Sequence, residues 1–206
     1  MNDYQREQWD ALTLAIEQVA QLSVDERLGL IREMAPYLAF RKEVDRFLET
    51  RFSDRCTRSC YTNRRSACCS KDGIITFWAD VVINVCLSSE SEILKLQQAL
   101  QSPEFDHKCT YLEGSGCCWK VRPLNCTMFL CDQVQQEVFP NNAKYQEEWS
   151  ELNRRAKTFR WPDKPVLFDR LETFFMERGC TSSLMYINTS PGLLRIKRQA
   201  ATIGRL

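Results

Sequence analysis

Apolar positions recur along most of the chain at spacings of three and four, the mark of helices that bury one face. Trp9, Leu12, Leu14, Ile16, Val19 and Leu22 outline a first helix over 4–22. Ser23-Val-Asp-Glu26 then reads as a capping box, with Ser23 capping the next helix and Glu26 reaching back. Leu28, Leu30, Ile31, Met34, Leu38 and Phe40 follow. Pro36 is expected to kink or end that helix, because proline lacks an amide hydrogen and crowds the preceding turn. Val44, Phe47, Leu48 and Phe52 outline a further helix.

Residues 53–73 are polar, basic and without period. Ile74–Phe77 reads as a short strand or as the entry to a helix over 78–87, an apolar stretch broken by Asp80 and Asn84. Ser89-Glu-Ser-Glu92 is a second capping box, opening a helix to about Gln101 that Pro103 stops. Lys108–Leu112 and Cys117–Val121 are β-prone and flank Glu113-Gly-Ser-Gly116, which predicts a small hairpin. Pro123 suits a first helical turn, and the helix is expected to run to about Phe139, before Pro140-Asn-Asn. Over 143–160, Tyr145, Trp149, Leu152, Ala156 and Phe159 share one face. Trp161–Pro165 reads as a linker, and a last helix over Val166–Arg178 stops at Gly179. The remainder, 184–206, reads as a mildly basic, solvated tail.

These elements predict a mainly α protein, helical with a small irregular cysteine-rich centre that contains a short β-hairpin. Three segments are expected to pack as one domain: helical 1–52, a cysteine-rich region 53–139, and helical 140–206. No alternation of strand and helix is long enough for a doubly wound sheet. Trp149, Phe159, Trp161, Phe168, Phe174 and Phe175 are read as core.

Composition adds one anomaly. The 206 residues are 44% hydrophobic and 27% charged, with a net charge of +1. That balance argues against nucleic acid as a partner, since phosphate binding needs a positive excess. A single histidine, His107, rules out sites built on several histidines and reads as a surface residue. Seven glycines leave little room for loops that cradle phosphate. Cysteine stands out at 11, nine of them in two groups: Cys56, Cys60, Cys68, Cys69, and Cys109, Cys117, Cys118, Cys126, Cys131.

The polar, acidic start lacks the pattern of a signal peptide, and no apolar run is long enough to span a bilayer. A cytoplasmic protein with reduced thiols is therefore expected, without membrane contact. The odd cysteine count and the vicinal pairs Cys68-Cys69 and Cys117-Cys118 also disfavour a disulfide framework. The spacings C-x3-C-x7-C-C and C-x7-C-C-x7-C-x4-C match neither a zinc ribbon nor a bacterial ferredoxin. Thiolates concentrated in two segments still select soft metals, so a site closed by bringing both groups together is the natural reading. Arg51, Arg55, Arg58, Arg64, Arg65 and Lys71 surround the first group, and Lys108, Lys120 and Arg122 flank the second. Their charge is expected to lower the thiol pKa values. Cys86 and Cys180 fit neither group and read as buried bystanders.

Cys56-x3-Cys60 with Cys68-Cys69, Ile75-Thr-Phe, Cys109-Thr-Tyr-Leu and Cys117-Cys-Trp-Lys-Val-Arg-Pro-Leu-Asn-Cys126 together resemble the YkgJ-type cysteine-cluster family, a zinc- or iron-chelating domain. The resemblance covers about 56–131, although the family's first spacing is shorter. It implies an iron–sulfur cluster, or else zinc, held by Cys56, Cys60, Cys68, Cys69, Cys109, one of Cys117 and Cys118, Cys126 and Cys131. Arg122 and Pro123 would shape the loop, Arg122 also donating to a sulfur. The implied role is structural, or redox and accessory, toward a protein partner or substrate. Some larger members look like lysine N-methylases that use S-adenosylmethionine, which makes a methyl-transfer enzyme the alternative.

Overall fold

The computed structural model describes residues 1–55, 76–103, 109–114, 116–160 and 166–189. The helix α1 (Asp3–Ala20) begins at Asn2, whose side chain accepts from the Gln5 amide while the Gln5 side chain accepts from Asn2. Its inward face carries Gln5, Gln8, Ala11, Leu12, Ala15 and Val19. That face is not the one the large apolar residues suggest, since two glutamines are buried on it. Gln5 answers by donating to the Leu100 carbonyl (2.9 Å).

The Ser23–Glu26 capping box forms as expected. The helix it opens, α2 (Val24–Arg55), then runs unbroken through Pro36. Leu30, Met34, Tyr37, Phe40, Val44, Phe47 and Phe52 form one buried stripe on both sides of the proline. Pro36 and Arg32 are exposed, so water can take the carbonyl that the proline leaves unpaired. Packing of that stripe outweighs the local penalty, so the helix does not end at the proline.

The helix α3 (Trp78–Leu87) is buried on every side from Trp78 to Cys86, as a helix apolar around its circumference must be. Against it pack α1, α2 and, further along the chain, the helix over Leu167–Met176. The second capping box opens α4 (Glu90–Gln101), where the Glu92 amide and carboxylate pair with Ser89.

The hairpin is shorter than expected. Strand β1 (Leu112–Glu113) pairs antiparallel with β2 (Gly116–Cys117), Leu112 opposite Cys117 and Glu113 opposite Gly116. Gly116 sits at φ 120°, a region open to glycine. Beyond the hairpin the single helix expected over 123–139 is two, α5 (Leu124–Thr127) and α6 (Asp132–Val138). The break at 128–131 turns Leu130 into the core, and the Gln135 side chain donates to the Leu130 carbonyl at 2.8 Å.

The helix α7 (Ala143–Arg160) buries Trp149, Leu152 and Ala156, with Trp149 stacked on Phe47 of α2. The helix α8 (Leu167–Met176) buries Phe168, Leu171 and Phe175 and ends at Gly179, whose φ is 78°. Trp161, like the rest of the expected linker, lies outside the described residues. The chain beyond is not all solvated. Leu184, Met185 and Ile187 are buried, and the Glu172 carboxylate accepts from the Tyr186 and Ile187 amides at the start of α9 (Tyr186–Thr189).

Along the outside of α2, Glu26, Glu33, Glu43 and Asp45 pair with Arg178, Arg170, Arg155 and Arg122. Such exposed pairs orient elements more than they stabilise them. Among the described residues no helix is long and apolar enough to cross a membrane.

Candidate metal centre

Cys56, Cys60, Cys68 and Cys69 lie outside the described residues, as do His107 and Lys108. The second group is described in full, and none of its cysteines is in a disulfide. Cys109 is buried, Cys118, Cys126 and Cys131 are half-buried, and Cys117 is exposed. The turn after Cys109 closes when the Leu112 amide donates to the Cys109 carbonyl, and the Cys118 amide donates to the Tyr111 carbonyl, both at 3.0 Å. These bonds set Cys109 and the Cys117-Cys118 pair on neighbouring arms of the hairpin.

The chain that follows, Val121–Thr127, is held by three buried polar side chains. Asn84, fully buried on α3, donates to the Val121 carbonyl (2.8 Å) and accepts from the Val121 amide (2.9 Å). One turn earlier, Asp80 accepts from the Leu124 amide (3.2 Å) and from the Phe77 amide (3.0 Å). From α2, the guanidinium of Arg41, itself 3% exposed, donates to the Arg122 carbonyl and to the hydroxyls of Thr127 and Tyr37. The Arg122-Pro-Leu-Asn-Cys126 stretch is therefore fixed through its backbone by two helices, with Cys118 just before it and Cys126 within it. The guanidinium of Arg122 itself pairs with Asp45 (3.1 Å), and Pro123 stands at the N-cap position of α5.

The first helix closes the other side. Gln8 accepts hydrogen bonds from the Thr76 hydroxyl (2.6 Å) and the Tyr111 hydroxyl (3.2 Å), and Tyr111 packs edge-on against Trp119. Burial, then Tyr4, and then the charges that Cys118, Cys109 and Cys117 could carry, hold the Tyr111 phenol well above its ordinary pKa. Burial, and then Cys109 and Cys126, do the same for Tyr4 one turn before Gln8. Cys109, Cys117, Cys118 and Cys126 thus share one neighbourhood with Tyr4 and Tyr111.

The electrostatics correct one expectation. The Cys118 thiol is pushed up, first by burial and then by Cys117, Glu113 and Cys109. The cations meant to lower it are engaged elsewhere, Lys120 with Glu92 (2.8 Å) and Arg122 with Asp45. Without a bound cation Cys118 therefore favours its neutral thiol. Cys86 and Cys180 are buried away from this neighbourhood, their thiols raised to about 11 by burial, as bystanders should be.

Among the described residues no three Cys, His, Asp or Glu side chains stand as a group that could hold a metal ion. A complete donor set needs a contribution from another segment.

Residue patterns alone do not single out Arg41, Tyr4 or Gln8. Asp80 and Asn84 did carry a signal: two polar residues four apart inside the most apolar stretch of the chain. A buried polar pair at that spacing has to find partners, and here the partners are the backbone of the cysteine-bearing loop. No protein-family model, no curated protein and no solved structure matches the chain.

Proposed function

We propose that this chain is a metal-binding protein of a reducing compartment such as the cytoplasm, akin to the YkgJ-type family. It closes an iron–sulfur cluster, or zinc, between Cys56–Cys69 and Cys109–Cys131. The observation that carries the reading is the fixing of a cysteine-bearing loop by the buried side chains of Asn84, Asp80 and Arg41. Buried polar groups of this kind hold a backbone to one geometry, which metal ligands require and a surface loop does not. The donors fit the group: soft thiols, unpaired in disulfides, select iron–sulfur clusters or zinc over hard cations.

The raised Cys118 thiol fits as well. A bound metal would supply the positive charge that the neighbourhood lacks, and a coordinating thiol gives up its proton outright. The chain's own residues do the rest. Asn84 and Asp80 hold Val121 and Leu124, Arg41 holds the Arg122 carbonyl, and Gln8 holds Tyr111, two residues after the buried Cys109. Such a centre serves as a structural staple, or as a redox element toward a protein partner.

Anaerobic isolation with metal analysis and thiol titration tests the proposal. The expected result is iron with sulfide, or zinc, in fixed ratio to protein, with most thiols unreactive until the chain is denatured. A chain with neither metal, unable to take up either on reconstitution, would sink it.

A further inference from the structure

The long helix α2 carries two apolar stripes. One is the buried stripe through Leu30, Met34, Tyr37 and Phe40. The other runs through Val24, Leu28, Ile31, Ala35 and Leu38, at successive steps of four, three, four and three residues. Such steps repeat every seven residues and keep to one side of a helix, as in the seam of a coiled coil. This second stripe lies on a different side of α2 from the first and faces outward. Val24 is 74% exposed, Leu28 is 48% exposed and Ala35 is exposed, while Ile31 is half-buried. Leu38, also half-buried, touches the edge of the core. A single exposed leucine needs no explanation, but a seam of apolar residues at coiled-coil spacing is what a second helix covers.

The charges beside the seam select the occupant. Asp25 and Arg32 stand seven residues apart on one flank, both exposed. Among the described residues neither is in an ion pair, although the neighbouring Glu26 and Glu33 are paired with Arg178 and Arg170. Two turns apart, Asp25 and Arg32 cannot reach each other. A second α2 crossing antiparallel, with a two-fold axis between Leu28 and Ile31, satisfies both. It sets Leu28 against the second copy's Ile31, Val24 against its Ala35, and Asp25 beside its Arg32, and the symmetry repeats each contact. A parallel copy would instead bring Arg27 beside the second copy's Arg32, a meeting of like charges.

We propose that α2 is the interface of a homodimer, in which two copies pack their 24–38 seams antiparallel about a two-fold axis. The same patch then serves both copies, as an isologous interface requires. This assignment does not depend on the metal-binding reading. The seam is about 20 Å long, and two copies bury on the order of 1,000 Å² together, the low end for a specific interface. The dimer is accordingly weak and exchanging, with a Kd on the order of 10 μM.

Sedimentation velocity of the full chain, kept reduced so that no disulfide links two copies, is run from well below to well above that concentration. The unsubstituted chain is expected to pass from monomer to dimer. Leu28→Glu sets two like charges into the seam and is expected to raise Kd at least about tenfold. Val24→Glu, at the more exposed position, is a second arm should Leu28→Glu fail to fold by circular dichroism. Asp25→Arg and Arg32→Asp are each expected to weaken the dimer, and the two together to restore it, because the exchanged charges again meet across the axis. A chain that stays monomeric at every concentration overturns the proposal. So does a dimer that survives both glutamate variants, since the copies would then meet elsewhere. Single charge variants that change nothing, or a double variant that restores nothing, overturn the antiparallel pairing.

Discussion

Replacing Asn84 with alanine tests the clamp on the cysteine-bearing loop. Asn84 is fully buried and makes three hydrogen bonds, two to the backbone of Val121 and one to the Asp80 carbonyl (2.9 Å). The alanine leaves the Val121 amide and carbonyl unmade, each at about 1–3 kcal/mol for a group cut off from water. Val121 is only half-buried, which puts each loss near the low end. The Asp80 carbonyl keeps its helical partner and adds little. Together with the small void left behind, the loss is about 2–4 kcal/mol. For a chain of this length that lowers Tm by roughly 10 °C. Urea unfolding of the reduced, metal-free chain, followed by tryptophan fluorescence, reads it directly. Asn84→Asp is a second arm: it keeps the acceptor for the Val121 amide but sets an oxygen against the Val121 carbonyl, and is expected to lose at least as much. A loss below about 1 kcal/mol in both variants would refute the reasoning, because exposed hydrogen bonds of no structural consequence cost that little.

Arg41→Lys removes the fork that reaches the Arg122 carbonyl, Thr127 and Tyr37 at once. It should cost about 2–3 kcal/mol in the same urea assay, and a change within error would show that a point charge suffices there. Alkaline pH should unfold the metal-free chain. The thiols of Cys86 and Cys180 lie near 11 in the fold against 9.0 ordinarily, so the fold holds protons that the unfolded chain has released. Their contribution is whole below pH 9 and is lost as pH rises toward 11. Flat stability across that window, measured by thermal melts, would contradict the burial of both. Gly179→Ala puts a side chain into open space but onto a φ of 78°, and should cost about 1 kcal/mol by backbone strain alone. No loss in a urea titration would mean that the α8 stop relaxes freely.

Much of the fold was legible because apolar spacing and caps are local. Ser23–Glu26, Ser89–Glu92 and Gly179 mark helix ends that the structure keeps. What was not legible depends on distant partners. Pro36 reads as a break until one sees that its neighbours Met34, Tyr37 and Phe40 bury a continuous stripe against other helices. The split between α5 and α6 follows from the burial of Leu130, which no local propensity records. The inner face of α1 is not legible for the same reason: Gln5 and Gln8 are buried because Leu100, Thr76 and Tyr111 satisfy them from far along the chain.

At the candidate site the cysteines announce themselves by type and spacing, but their supports do not. Arg41, Asp80 and Asn84 look like ordinary helical polar residues until the loop from Val121 to Thr127 is laid across them. Charge was legible only in total. Lys120 and Arg122 sit beside the cysteines in sequence, yet Glu92 and Asp45 draw them away in space.

Mapping which cysteines a metal protects tests the central claim most directly. The full chain is isolated anaerobically and alkylated before and after removal of metal by a chelator, and each cysteine is quantified by mass spectrometry. If one centre joins the two groups, Cys56, Cys60, Cys68 and Cys69 become reactive together with Cys109, Cys118 and Cys126 when the metal leaves. Cys86 and Cys180 stay protected by burial in both states. Reactivity unchanged by the chelator, or gained in only one of the two groups, would contradict a centre shared between them.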